Sequence, residues 1–112
     1  MEFTTEERGD VVVLAIEGKL LGGPEESAIL DGISALAEAG KVKVVLDLTR
    51  LQWMNSRGLG ICVSGLTSLR RRGGDLRPAC LSDKVEQLIS QCHLDRVFFC
   101  YKTVDEAIAS FK

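Results

Sequence analysis

No run of apolar residues in this chain is long enough to cross a bilayer. The longest, Val11 to Ile16, covers six residues, where a spanning helix needs about 20. Histidine is nearly absent, with His93 the single one. It adjoins Cys92 instead of standing at ligand spacing from another donor. No two of Cys62, Cys80, Cys92 and Cys100 form a C-x-x-C pair, so a zinc site is not expected. A full G-x-G-x-x-G or P-loop is missing too, and no cofactor is expected. An excess of basic charge is also lacking: the net charge is −2 and the isoelectric point about 5.4. Nucleic acid asks for a basic face. The one basic run, Arg70-Arg71-Arg72, ends a helical pattern, where cations complement the helix dipole. Neither nucleic acid nor membrane is therefore expected as a partner. Met1-Glu2-Phe3 opens the chain without a basic segment and apolar block, so a signal peptide is not expected and a cytoplasmic location is. Cys62, Cys80 and Cys100 sit among apolar neighbours and read as small, reduced hydrophobes.

What the chain does have is a globular composition. Its 112 residues are 46% hydrophobic and 27% charged, enough for one domain, residues 1–112, with its own core. Glu2 to Glu7 reads as a strand, and Gly9-Asp10 as a tight turn into the β-branched run Val11 to Ile16. Strands joined so closely pair antiparallel. Gly18 to Gly23 reads as a loop, followed by a helix with Pro24 at its first position and Ile29, Ile33, Leu36 and Ala37 on one face. Gly40 stops it. Val42 to Leu48 is a buried strand and Thr49 to Asn55 a loop. The next helix has Ser56 as its cap and Leu59, Cys62, Val63, Leu66 and Leu69 as its buried face. Asp75 to Leu81 is a strand in which Pro78 demands an edge or a bulge. Ser82-Asp83 opens a third helix, with Val85, Leu88 and Ile89 inward. Val97 to Tyr101 reads as a last strand, and Thr103 with Glu106 as a capping box for a final helix. The class is α/β, a mixed sheet of about five strands with about four helices.

The stretch with chemical content runs from Asp47 to Gly60: a buried strand, a loop, then Ser56 at a helix start. Gly58 and Gly60 leave room for close backbone approach. A helix N-terminus presents unpaired N–H groups and partial positive charge, which suits an attached phosphate. On physical grounds Ser56 is also readable as a plain cap, Trp53 as a packed anchor, Met54 as core and Asn55 as a turn former. Asp47, in a buried strand pattern, would need hydrogen-bond partners.

This stretch resembles the signature of STAS domains, named for sulfate transporters and anti-sigma factor antagonists: D-L, an apolar loop, then D-S-[S/T]-G-[L/M]-G. The resemblance extends to Gly18-Lys19-Leu20, to Gly73-Gly74-Asp75-Leu76 and to the Phe98-Phe99 and Thr103 to Ala107 segments. It implies a single-domain STAS-like fold and an anti-sigma factor antagonist that is not an enzyme. It implies a partner that is both anti-sigma factor and serine kinase, phosphorylation of the serine matching Ser56, and a serine phosphatase that resets it. Leu21, Gly22, Trp53, Asn55, Ser56, Arg57, Gly58 and Leu59 are the expected partner-binding residues. Three positions depart from the family pattern. Asn55 replaces the acid before the serine, Arg57 the hydroxyl residue after it, and Leu21 an acid in the loop before the first helix. Negative charge is removed beside the acceptor and a positive one added. A scaffold of the same fold that never undergoes phosphorylation is the alternative.

Overall fold

A computed structural model describes residues 1–112, the side chain of Glu25 apart. Five strands form one sheet: β1 (Glu2–Arg8), β2 (Val11–Leu20), β3 (Lys43–Asp47), β4 (Leu51–Met54) and β5 (Asp75–Ala79). The order is β1-β2-β3-β5, with β4 beside the far end of β2. β1 is antiparallel to β2, and the other pairings are parallel. The helices are α1 (Ser27–Glu38), α2 (Ser56–Arg71), α3 (Asp83–Gln91) and α4 (Val104–Ala109), and a 3-10 turn, Pro24–Glu26, precedes α1. The mixed α/β class follows from these connections, because each parallel pair needs a crossover and a helix supplies it.

β2 is the centre of the molecule. Its side chains alternate between two cores, as the period of a strand requires. Leu14 and Ile16 join Ile29 and Ile33 of α1, Leu59, Leu66 and Leu69 of α2 and Ile89 of α3 in the larger core. Val11 and Val13 face Ala107 and Ile108 of α4 in the smaller one. Covered on both faces, the strand can afford no polar residue from Val11 to Ile16.

Three expectations about elements are corrected. Gly18-Lys19-Leu20 is strand and not loop, because β4 pairs with it in parallel beyond the end of β3, across a bulge at Gly18/Lys19. The span Thr49 to Asn55 accordingly contains β4, whose inward residues Leu51 and Met54 are buried. They are three apart, so the alternation that marks a strand is missing. Val97 to Tyr101 is not a strand. Val97 and Phe98 both donate backbone bonds to the Leu94 carbonyl, and Arg70 donates to the Val97 carbonyl at 2.7 Å. Only Tyr101 bridges to Ala79.

Pro78 lies on edge strand β5. Its carbonyl points outward and accepts from Tyr101 N, so the side on which proline lacks an N–H is not the one that pairs with β3. The Arg70 end of α2 is tied to β5 through Asp75, a buried carboxylate that receives Arg70 Nε at 3.0 Å and Arg77 Nε at 2.9 Å. Cys62 is buried, but Cys100 is exposed and not a core hydrophobe. Among the described residues no helix is long and apolar enough to cross a membrane.

Candidate functional site

The loop after β2 and the start of α2 meet at one end of the sheet. Asn55, not Ser56, is the N-cap of α2: its Oδ1 accepts from Gly58 N at 2.9 Å. Asparagine and serine cap equally well, so the sequence could not separate adjacent positions. The structure does, and it moves Ser56 to the first helical residue with its side chain exposed. Among the described residues, none is hydrogen-bonded to the Ser56 hydroxyl. A capping serine would have spent its oxygen on the helix backbone, whereas Ser56 keeps its oxygen for solvent.

Asn55 also joins the two segments. Its Nδ2 donates to the Leu21 carbonyl at 3.2 Å and its backbone N to the Leu20 carbonyl at 3.3 Å. From the other side Glu26 grips the same loop. Its carboxylate, 2% exposed, accepts from Leu21 N at 2.6 Å and from Gly23 N at 2.5 Å. Sequence reading missed Glu26. The available signal was a half capping box, with Gly23 before Pro24 and an acid at the third helical position reaching back to the cap N–H.

Two glycines allow the approach. A Cβ on Gly58 would lie 2.1 Å from the Leu20 carbonyl oxygen, and one on Gly22, whose φ is +84°, would lie 2.5 Å from Arg57 Cβ. Both distances are far inside van der Waals contact. Gly60 meets nothing within 4 Å, so the expected close approach there is corrected to Gly58 alone.

The expected partner-binding residues therefore separate. Ser56, Arg57, Leu21 and Trp53 are exposed; Asn55 and Gly22 are half-buried. Gly58 and Leu59 are buried. Both lie beneath the exposed residues of the site. Trp53 turns to a groove against α3, beside Lys19. Asp47 accepts from Thr49 N at 3.0 Å and from Thr49 Oγ1 at 2.6 Å, so it shapes the β3–β4 turn.

The first turn of α2 carries no acid, and its last turn holds Arg70 and Arg71. Ser56 thus stands at the positive end of an unopposed helix dipole, with Arg57 the next residue along the helix. Two of the four thiols are poor nucleophiles. Burial pushes the Cys62 thiol up to about 12, and partial desolvation by its neighbours, with the charge of Glu86, pushes the surface Cys100 up to about 11, so neither is a thiolate at neutral pH. The arrangement offers an alcohol to another molecule's chemistry, in a field that tolerates an anion.

The model of one family, the STAS domain, matches residues 2–107. A Thermotoga maritima protein named as a candidate anti-sigma factor antagonist is 33% identical over 69 residues, which are 62% of this chain and 61% of that protein. The match thus spans about three fifths of that curated relative. Among solved structures, the crystal structure of a candidate anti-sigma factor antagonist from Thermotoga maritima superposes with a TM-score of 0.81 at 29% identity, covering 96% of this chain and 92% of the other. The Bacillus cell fate determinant SpoIIAA, solved in its phosphorylated form, superposes at 0.77 with 22% identity, covering 99% and 100%, a likeness of fold.

Proposed function

The chain belongs to the STAS domain family, and from that premise we propose that it is an anti-sigma factor antagonist whose partner is an anti-sigma factor with serine kinase activity. Unphosphorylated, it binds that partner and frees a sigma factor. The kinase then transfers the γ-phosphoryl group of ATP to Ser56 Oγ: a P–O bond forms at serine, the bond to the ADP leaving group breaks, and the hydroxyl proton leaves to a base on the kinase. A serine phosphatase hydrolyses the ester and restores the binding form. The chain supplies a surface and an acceptor, not catalysis.

One observation carries this reading: the Ser56 hydroxyl is exposed at the first position of α2, with the capping duty taken by Asn55. A phosphate there gains about −1.5 to −2 charges and meets backbone N–H groups and Arg57, not acids. The names of the Thermotoga relatives support the partner class, and the phosphorylated Bacillus protein supports a fold that carries the modification. The test is capture of the cognate anti-sigma factor with Ser56→Ala and Ser56→Asp forms, alongside transfer from radiolabelled ATP. Ser56→Ala should keep the partner and take no label, and Ser56→Asp should lose the partner. Retention of the partner by both would overturn the switch.

A second reading rests on Leu21, Asn55 and Arg57, which leave the acceptor without neighbouring acids. In it the chain is a scaffold that holds its partner permanently. A stable complex with no label on Ser56 would favour it.

A further inference from the structure

Between β4 and α3 lies an open groove of about 490 Å³, lined by Lys19, Trp53, Lys84, Gln87, Leu88 and Gln91. The α3 contribution recurs at positions 84, 87, 88 and 91, one stripe of a helix. Over seven residues it runs about 10 Å along the surface. Leu88 is half-buried and Trp53 is 38% exposed, so the floor is apolar and partly open. Lys19 sits beside Trp53 in the β2–β4 register. Every charged group lining the groove is a cation, in a chain whose net charge is −2. Among the described residues neither lysine has a carboxylate partner, whereas Lys41 and Lys43 are both paired. Glu86 of the same helix interacts with Cys100 and is not part of the lining.

We infer that this groove is a second docking surface and that its occupant is an acidic stretch of a partner protein carrying an apolar anchor side chain. Two lysines with no carboxylate partner among the described residues flank an aromatic face at which an apolar side chain can dock, and the glutamine amides can bond an extended backbone. Aromatic anchors of this kind dominate binding energy, while the flanking charges set the choice of partner. Asp83, with Glu86 the other acid of the α3 first turn, is likewise outside the lining. Trp53 lies two residues before the cap Asn55 in sequence. The inference rests on reading the chain as a partner-binding module, and it adds the charge of the partner's contacting segment.

The chain contains one tryptophan, so its emission reports this groove directly. A random dodecapeptide phage library is panned on the full chain and counter-selected on a Lys19→Glu/Lys84→Glu double variant. Both lysines are exposed, and circular dichroism checks that the variant folds. Recovered peptides are expected to be acidic with a central aromatic or leucine. A synthetic consensus peptide should shift Trp53 emission, bind the double variant at least about tenfold more weakly, and weaken as salt rises. Recovery of peptides without acidic bias, or of none, overturns the inference. So does a shift of Trp53 emission by ATP with no response to the selected peptides. Failure here with loss of the anti-sigma factor by Ser56→Asp leaves the switch standing, and the reverse outcome leaves the groove standing.

Discussion

Replacing Asn55 and Ser56 one at a time by alanine separates a cap from an acceptor. Asn55→Ala removes the side-chain bond to Gly58 N at 2.9 Å and the one to the Leu21 carbonyl at 3.2 Å. Loss of the cap costs about 1 kcal/mol, and loss of a second bond at a half-buried position about 1 kcal/mol more. A total near 2 kcal/mol is about thirtyfold in the folding constant. It would lower the midpoint of thermal unfolding by roughly 8 °C, taking about 4 °C per kcal/mol for a chain of this size. Ser56→Ala removes an exposed hydroxyl, and its effect should stay within about 0.5 kcal/mol. Urea unfolding at fixed pH, with the m-value compared between variants, measures both. If Ser56→Ala cost as much as Asn55→Ala, serine would be the cap, and its hydroxyl would not be free for transfer.

Gly58→Ala should destabilise by more than about 2 kcal/mol, because the new methyl meets a backbone carbonyl 2.1 Å away, while Gly60→Ala in open helix should stabilise by about 0.5–1 kcal/mol. The two midpoints in urea should move in opposite directions. Glu26→Gln puts an amide donor against one of the two loop N–H donors, Leu21 N or Gly23 N, at a cost of about 1–3 kcal/mol. Hydrogen exchange at those two amides should then quicken while the β3 amides are unchanged. Cys62 has its pKa raised by burial from 9.0 to about 12. Its protonated form is thus favoured in the folded state, so its contribution is whole below pH 9 and is lost as the pH climbs towards 12. Native Cys62 should resist a thiol reagent at pH 8 that labels the unfolded chain at once.

The parts of the fold legible from sequence are those in which one physical signal acts alone. Val11 to Ile16 has no polar residue, and a strand sandwiched between two cores is what that composition requires. The α1 and α3 stripes are likewise set by apolar period, and Thr103 does cap α4 through Glu106 N. The errors fall where neighbours decide. β4 exists because Gly18-Lys19-Leu20 offers it an edge, and nothing inside Leu51–Met54 announces that. Val97 to Tyr101 has the composition of a strand, yet Arg70 takes the Val97 carbonyl that a ladder would use. At the site, the stretch around Ser56 was legible as a helix start, but the identity of the cap was not, since Asn55 and Ser56 are adjacent and chemically equivalent for that duty. Glu26 was hidden for a similar reason: an acid near a helix start reads as a dipole effect, and only the folded loop turns it into a buried latch.

The position of Ser56 also decides how a phosphate there could act. A hundredfold loss of affinity needs about 2.7 kcal/mol. Two unit charges 10 Å apart in water interact by about 0.4 kcal/mol before salt screens them, and a dianion only doubles that. A phosphate at the rim of an interface therefore falls well short, even against an acidic partner. The required energy comes from contact, where a dianion would have to be stripped of water beneath the partner's surface at a cost its helix N–H groups and Arg57 only partly offset. Leu21, exposed and held by Asn55, and Arg57, packed on Gly22, flank the serine. That gives the hydroxyl an apolar and a cationic neighbour on a loop fixed from both sides. A partner closing over these three residues covers the oxygen itself, and only in that arrangement does one covalent group switch binding while the fold stays still.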